Sequence, residues 1–584
     1  MKQHKNKIIF LFSVLALNAS IISCTKNVIE DGPIENQTEE LTFDAKDSVG
    51  VNAELFLNNI YSSLPSGFNR VGGQLLDAGS DDALPSSITD NVQLYSNGGF
   101  NELNLPDNVW DANYRAIRKV NLFLSKIDIV PLREVGLKAR WKAEARGMRA
   151  LFYFELIKLW GGVPLLGDKV LATSDNLNIA RNTFDECAAY IVAETNAIEA
   201  DLYSPKVASA TSVFFGRFTK GAAMALKAKT LLYAASPLWN ASNDVSKWQL
   251  AADAAKTIID SVAALNFPYA LSTGTATAHY STTTLAGITT APNLTAYVGN
   301  VNKFLNVFST RAQNEYILAY MTAPDVNLET INEPVGFLRL GQGRTNPTQE
   351  LVNDFEMYNG KLITETGSGY STTRPYYNRD PRLVGSVFFD SLYWINRKIQ
   401  LHDGGLDRPL GFGGTNSGET RTGYYMRKFL TSGSSASSYS TASHLFPIFR
   451  YAEVLLNYAE ALNEVSGPIA AVYSTINTVR TRVGMPALPA GLSQVDMRNR
   501  IQHERRVEFA FEEQRFFDIR RWKIAGNTLN GKLHGIQGVL NAGIVSYNEV
   551  DVAPTRFDIT KMYLYPIPQK EMTANPNMVN NPNW

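Results

Sequence analysis

The sequence predicts a mainly α fold, with antiparallel helix pairs stacked side by side and interrupted by an irregular, loop-rich insertion. Three observations carry that reading. Apolar residues recur at helical spacing in long runs before residue 266 and again after residue 445. Between them, residues 266–445 are dominated by Gly, Ser, Thr and Asn, and such runs are few. The helical runs end on glycine and proline, as at Gly467-Pro468 and at Gly484 with Pro486, which is how short turns between antiparallel helices are made.

Length and composition set the frame. A chain of 584 residues can bury a large core and does not need disulfides to hold it. Apolar residues at 45% and charged residues at 19% are ordinary for a folded soluble protein. Lys plus Arg total 55 and Asp plus Glu total 55, so the basic excess of a nucleic-acid binder is missing and no nucleic-acid partner is expected.

The N-terminus reads as an address. Lys2, Lys5 and Lys7 precede an apolar stretch from Ile8 to Ile22, too short and wrongly flanked for a spanning helix. It ends in Ile21-Ile22-Ser23-Cys24, a bacterial lipobox pattern. The expectation is a signal peptide over residues 1–23, cleavage before Cys24, and lipid on the Cys24 thiol and the new amine. Several acyl chains anchor a protein stably, where one is marginal. Residues 24–46 are acidic, broken by Gly32-Pro33, and lack apolar periodicity, so they read as a flexible tether. Cys187, in the apolar helical run FDECAAYIVAE, reads as a small buried hydrophobe.

The helical body follows over residues 47–265. Helices are expected at 47–64, 110–127, 137–160, 184–202, 217–233 and 247–264. Trp110 and Trp160 fall on periodic faces and read as core. Pro65 to Pro106 has no long periodic run, and a loop of that length is usually functional or disordered. Within the insertion, Val301 to Met321 reads as one helical or extended piece around NEYILAYM, and Thr422 to Phe429 as a strand.

Residues 446–584 close the chain. FPIFRYAEVLLNYAEALNEVSG and INTVRTRVGMPAL give two helices, and Ser493 three residues before Asp496 looks like the cap of a third. That third run, IQHERRVEFAFEEQRFFDIRRW, carries Glu504, Glu508, Glu512, Glu513 and Asp518 against Arg505, Arg506, Arg515, Arg520 and Arg521. The local sum is zero. A catalytic carboxylate pair is one reading. The favoured one is a structural ion-pair network, with arginine forks holding carboxylates in two-point contacts.

These motifs carry a resemblance. RYAEVLLNYAEA, INTVRTRVGMP, ERRVEFAFEEQRFFDIRRW and the tail YLYPIPQKEMTANPNMVNNPNW occur in the order found in the SusD/RagB family, which the chain resembles. KAEARGMRALFYFELIKLWGGVPL resembles that family's N-terminal helical signature. The resemblance implies that the helix pairs are tetratricopeptide-like. It also implies a lipoprotein of the outer membrane that binds a nutrient glycan beside a SusC-like TonB-dependent transporter. A strict repeat period is not visible in the sequence.

Catalytic and metal spacings are missing. None of the six histidines, His4, His279, His402, His444, His503 and His534, stands in an H-E-x-x-H arrangement, and there is no C-x-x-C, G-x-S-x-G or Walker loop. Asp77, Asp81 and Asp82 can be read as a cation site but lack the EF-hand order. No enzyme, cofactor or metal is expected. A glycan site needs flat aromatics for the C–H face of a sugar, with Asp, Asn and Arg for its hydroxyls. Loop-borne candidates are Asp81, Asp82, Tyr95, Asn97 and Phe100 in the early loop, and Tyr297, Arg311, Tyr370 and Tyr376 in the insertion. The resemblance implies that the site draws on these two regions together. Tyr376 and Tyr377 precede Asn378-Arg379-Asp380-Pro381-Arg382, which also reads as a structural turn with ion pairs. Two rival functions stay open: a peptide- or protein-binding member of the same family, and a surface scaffold that touches no nutrient. The acids after Cys24 stand several positions along, so the cue for surface display is imperfect and the leaflet stays open.

Overall fold

The structure, a computed structural model, describes residues 39–206, 215–273, 278–289, 294–311, 313–413, 418–433 and 435–584. Cys24, its leader and the tether up to residue 38 lie outside the described residues.

The chain is mainly helical. Six long helices come first among the described residues: α1 (Val51–Tyr61), α2 (Trp110–Lys126), α3 (Leu137–Trp160), α4 (Phe184–Ile198), α5 (Lys220–Ala235) and α6 (Val245–Ala264). Each packs on the next from α2 to α6, with α1 against α2 and α3. The helix α5 is the close-packed centre of this row. Its Ala222, Ala223, Ala225, Ala228 and Ala235 are buried, so small side chains let α4 and α6 approach from both sides. Thr183 opens α4 with a capping box, its hydroxyl accepting from the Glu186 amide while the Glu186 carboxylate accepts from the Thr183 amide.

The insertion contains α7 (Leu294–Ser309), α8 (Asn327–Asn332), α9 (Gln349–Asp354) and α10 (Pro381–Ser386). Its strands are short: β1 (Ala83–Pro85) of the early loop pairs with β3 (Thr345–Pro347), and β2 (Tyr316–Met321) pairs with β8 (Leu445–Arg450). Two-residue strands β4 (Val387–Phe388), β5 (Tyr393–Trp394), β6 (Arg397–Lys398) and β7 (Tyr425–Met426) make two further ribbons, β4 with β7 and β5 with β6. The single piece expected around NEYILAYM is therefore a helix followed by a strand. The strand expected at 422–429 shrinks to β7, because Phe429 takes a left-handed backbone at φ 71°.

The helical row then resumes. α11 (Tyr451–Ser466) packs on α6, so the two ends of the insertion return to one place. α12 (Ala470–Arg482) and α13 (Gln494–Glu508) pack on α11. The charge-rich run expected as one helix is two, α13 and α14 (Gln514–Arg521), because the turn between them holds Phe511 and Glu513 at φ 64° and 60°. Buried Asp77 fixes that turn from the early loop: its carboxylate accepts from the Phe511 and Glu513 amides, both at 3.1 Å. A long hairpin, β9 (Gly531–Asn541) with β10 (Ile544–Thr555), follows, and short α15 (Gln569–Ala574) precedes the tail. The tail clamps α3. The Tyr565 amide donates to the Leu159 carbonyl at 2.8 Å, Asn581 donates to the Trp160 and Tyr565 carbonyls, and the Trp160 indole donates to the Pro566 carbonyl at 2.9 Å.

The expected ion network is present and buried. Glu508, with no side-chain exposure, meets Arg382, Arg450 and Arg482 at 3.0, 2.8 and 2.5 Å. Glu504 bridges Arg382 and Arg480, and Glu512 joins Arg450 to Lys428. Arg382, Lys428 and the Glu315 partner of Arg450 belong to the insertion, so the network ties it to α12 and α13. Burial alone disfavours every one of these charges; only mutual pairing makes them tolerable. Burial opposes ionisation of Glu508, but Arg482, Arg450 and Arg382 outweigh it and hold its carboxyl far below the usual range. Burial lowers the Lys428 ammonium to about 8, with Glu512 resisting that shift.

Candidate functional site

Most of the ring-bearing candidates lie in the core, which corrects the expectation that these loop-borne aromatics offer a face to a sugar. Tyr95 is fully buried in a short helix, Leu94–Asn97. Its ring stacks on Tyr565 at 5.3 Å, and its hydroxyl accepts from the Asp107 amide at 2.8 Å. Phe100 packs against Tyr95 and Trp584. The C-terminal tail thus covers both, a long-range contact that local composition does not announce. Tyr297 faces inward from α7 onto Tyr358, and Tyr376 stacks on Phe389 at 4.3 Å. None of these four has a free face for a sugar.

Asp81 and Asp82 are corrected on the same ground. Arg515 and Arg506 take Asp81 at 2.7 and 3.0 Å, and Arg506 takes Asp82 at 2.7 Å. Burial opposes the Asp81 charge, but the two guanidiniums hold its carboxyl below the usual range; burial and neighbouring Asp81 push Asp82 up. These carboxylates have arginine partners in place of a cation. No group of three or more metal-ligating side chains occurs among the described residues. Arg379 is also buried, donating to the Phe355 and Pro375 carbonyls. Three candidates stay accessible. Asn97 is exposed, Arg311 is exposed over the Phe215 ring at 5.3 Å, and Tyr370 is half-buried with Arg379 5.5 Å from its ring. Among the described residues every aromatic side chain is buried or half-buried.

The early loop and the insertion do meet, at residues that composition did not single out. Strands β1 and β3 pair antiparallel, Ala83 opposite Pro347 and Pro85 opposite Thr345, and the ladder continues with the Ser86 amide donating to the Arg344 carbonyl at 3.0 Å. Beyond it both chains reach the surface. Asp90 accepts from Gln74 Nε2 at 2.5 Å and pairs with Arg344 at 3.1 Å, with side chains 20% and 29% exposed. Exposed Gln342 accepts from Arg344 Nε at 3.4 Å, and the Ser87 and Thr89 hydroxyls sit 2.8 Å apart. Arg421 donates to the Pro85 carbonyl and to Gln93 below them. Gly343 has φ 53°, and a Cβ there would come within 2.2 Å of the Tyr425 ring, so only glycine lets this strand pass. Ile88, Leu338 and Leu340 stand 70%, 79% and 77% exposed on the same two chain segments. The result is a shallow rim that offers a guanidinium, a carboxylate, an amide and hydroxyls for directed hydrogen bonds, and aliphatic faces in place of rings.

Comparison with known proteins decides the family. A sequence model of the SusD family matches residues 332–584, and one described as starch-binding and associating with the outer membrane matches residues 44–232. The chain belongs to the SusD/RagB family. A SusD-like protein of Formosa agariphila is 21% identical over 559 residues, covering 92% of this chain and 95% of its own. Another from the same organism is 36% identical over 143 residues, and that match spans only 25% of the relative. Among solved structures, a SusD-like protein from Bacteroides fragilis is 25% identical with a TM-score of 0.74, covering 94% of this chain and all of its own. A laminarin-binding SusD-like protein has 21% identity and a TM-score of 0.60, covering 92% and 100%. These solved structures share the fold of this chain over nearly its whole length. Among the described residues, no helix is long and apolar enough to cross a membrane.

Proposed function

We propose that this SusD/RagB protein is a non-catalytic glycan-binding lipoprotein. It captures oligo- or polysaccharide at the cell surface and passes it to a SusC-like TonB-dependent transporter. The observation that carries the reading is the rim itself: the early loop and the insertion are joined by β1 and β3, and their ends present Asp90, Arg344 and Gln342 together. A guanidinium–carboxylate pair offers donors and acceptors at once, which suits the alternating hydroxyls of a sugar. Hydrolysis by the usual two-carboxylate route needs a second acid across the bond, and of the rim residues named here only Asp90 is a carboxylate. A shallow, half-exposed site binds weakly, roughly micromolar to millimolar, which permits release to a partner. Accessible Asn97, Arg311 and Tyr370 are retained as peripheral contacts, and Cys24 as the lipid-bearing residue.

The family of one matched model, described as starch-binding, and the laminarin-binding neighbour name the polymers to try first. Native gels cast with starch, laminarin and other polysaccharides are expected to retard the protein in at least one case. Retardation by none, with binding to a peptide mixture, would overturn the glycan reading. One observation favours that second reading: the rim's exposed apolar side chains are aliphatic. Shaving of intact cells with protease tests the address. Degradation of the protein is expected, and full protection would place it in the inner leaflet.

A further inference from the structure

The β9–β10 hairpin is a two-stranded sheet with one edge spent and the other bare. β9 turns its outer backbone groups to the insertion. The Gly538 carbonyl accepts from the Asp403 amide at 2.8 Å, the Ile536 amide donates to the Thr422 carbonyl at 2.7 Å, and the His534 amide donates to the Glu350 carboxylate at 3.0 Å. In an antiparallel ladder, residues opposite each other either exchange hydrogen bonds or both turn their backbone groups outward. Gly538, Ile536 and His534 lie opposite Tyr547, Glu549 and Asp551, and Leu540 lies opposite Val545. The amides and carbonyls of Val545, Tyr547, Glu549 and Asp551 therefore point away from β9. Among the described residues, no backbone group pairs with them there. Ser546, Asn548, Glu549 and Asp551 are exposed along this edge.

Bare edges are usually blunted by proline, lysine or a bulge. From Ile544 to Asp551, β10 has none of these; the register shift falls between Asp551 and Ala553, and Pro554 follows it. The charges the edge does carry select its partner. Glu549 has no ion-pair partner among the described residues, while Asp551 is shared with Lys532 and His534 of β9. The four outward residues are symmetric about Asn548, with 545 matching 551 and 547 matching 549. A second β10, antiparallel on a two-fold axis at Asn548, therefore meets all four. Each opposed pair exchanges two hydrogen bonds. Glu549 then faces Tyr547, Asp551 faces Val545, and Ser546 faces Val550. An axis at Glu549 would oppose Glu549 to itself, and one at Val550 would oppose it to Asp551; like charges directly opposite are destabilising. An axis at Tyr547 leaves Asp551 without a partner. The edge is thus complementary to itself in one register.

We propose that β10 is a dimerisation edge, where two copies of this chain join antiparallel through residues 545–551 about an axis at Asn548. The pairing stands independently of the glycan reading. It joins a strip and not a broad face, so the dimer is weak, with a Kd of roughly 10–100 µM. The test is sedimentation equilibrium of the full chain from about 1 to about 300 µM, carrying Cys24→Ala so that no lipid micelle adds mass. The parent should double in mass across that range. Glu549→Pro removes an outward amide that the hairpin's own ladder does not use, and should weaken the dimer by about tenfold or more. Asn548→Lys and Asn548→Asp each place like charges on the axis, where the two side chains meet, and each alone should weaken it by about two- to fivefold. Mixed one to one, those two variants should associate at least as tightly as the parent. An unchanged melting temperature verifies each fold. The position-548 variants alter only an exposed side chain, so they decide the matter if Glu549→Pro fails that check. A parent that stays monomeric throughout, a dimer indifferent to a folded Glu549→Pro, or a mixture no tighter than its separate components overturns the inference.

Discussion

At Glu508 three guanidiniums close on one carboxylate that has no exposure, and its value to the protein depends on all of them staying charged. Removing that charge leaves Arg382, Arg450 and Arg482 crowded in the core. Glu508→Gln is expected to destabilise the protein by about 3–5 kcal/mol, read as a lowered urea midpoint. A change under about 1 kcal/mol would mean that the network relaxes or is wet. The same residue sets a pH dependence. Burial opposes the charges of Glu508, Glu504 and Asp518, yet their arginine partners prevail and depress all three carboxyls. A depressed carboxyl contributes stability above its unfolded value and loses it as pH falls toward the folded one, so the melting temperature should fall steeply below about pH 4.5. A flat profile from pH 6 to 3 would contradict the assignment.

Residue chemistry also marks the limit of the sequence reading. The network around Glu508 was legible because ten charges, five of each sign, summed to zero among phenylalanines in one run. Tyr95 and Phe100 were not, because what buries them is the tail, more than four hundred residues away, and local composition holds no trace of that contact. Asp90 and Arg344 lie far apart in sequence and are unremarkable singly; only the β1–β3 register brings them together.

Among the elements, helices were easiest to read. The expected 137–160 helix coincides with α3, because twenty-four residues of unbroken pattern end at Gly161. The α13–α14 break was invisible: its cause is Asp77 capping the turn from the early loop, not a proline or glycine in the run. The β9–β10 hairpin escaped because its faces are mostly polar and half-exposed, without the alternation that signals a strand. The junction of β1 with β3 is the element on which the rim depends, and Gly343 is its narrowest point. Gly343→Val is expected to displace Tyr425 or part the two strands, abolishing polysaccharide retardation while the helical array keeps its circular-dichroism signal. Retained binding would show that the rim does not need this register.

For the whole molecule, a helical row holds an insertion whose two ends return to α6 and α11, so the rim is carried on a rigid base rather than on a free loop. The ion network and the tail fasten that insertion and the early loop to the same base. The proposed anchor at Cys24 belongs to this scale too. Cys24→Ala is expected to release the protein from the membrane fraction, checked by fractionation and by loss of metabolic fatty-acid labelling; unchanged membrane association would refute the anchor.

The account turns on Asp90 and Arg344 acting together as the glycan-recognising pair. Isothermal titration of whichever polysaccharide retards the parent protein, against Arg344→Ala and Asp90→Ala, measures that directly. Each variant should weaken binding by about tenfold or more with the melting temperature unchanged, since a lost charge-assisted hydrogen bond is worth about 1.5–3 kcal/mol. Parent-like affinity in both would place recognition elsewhere on the molecule.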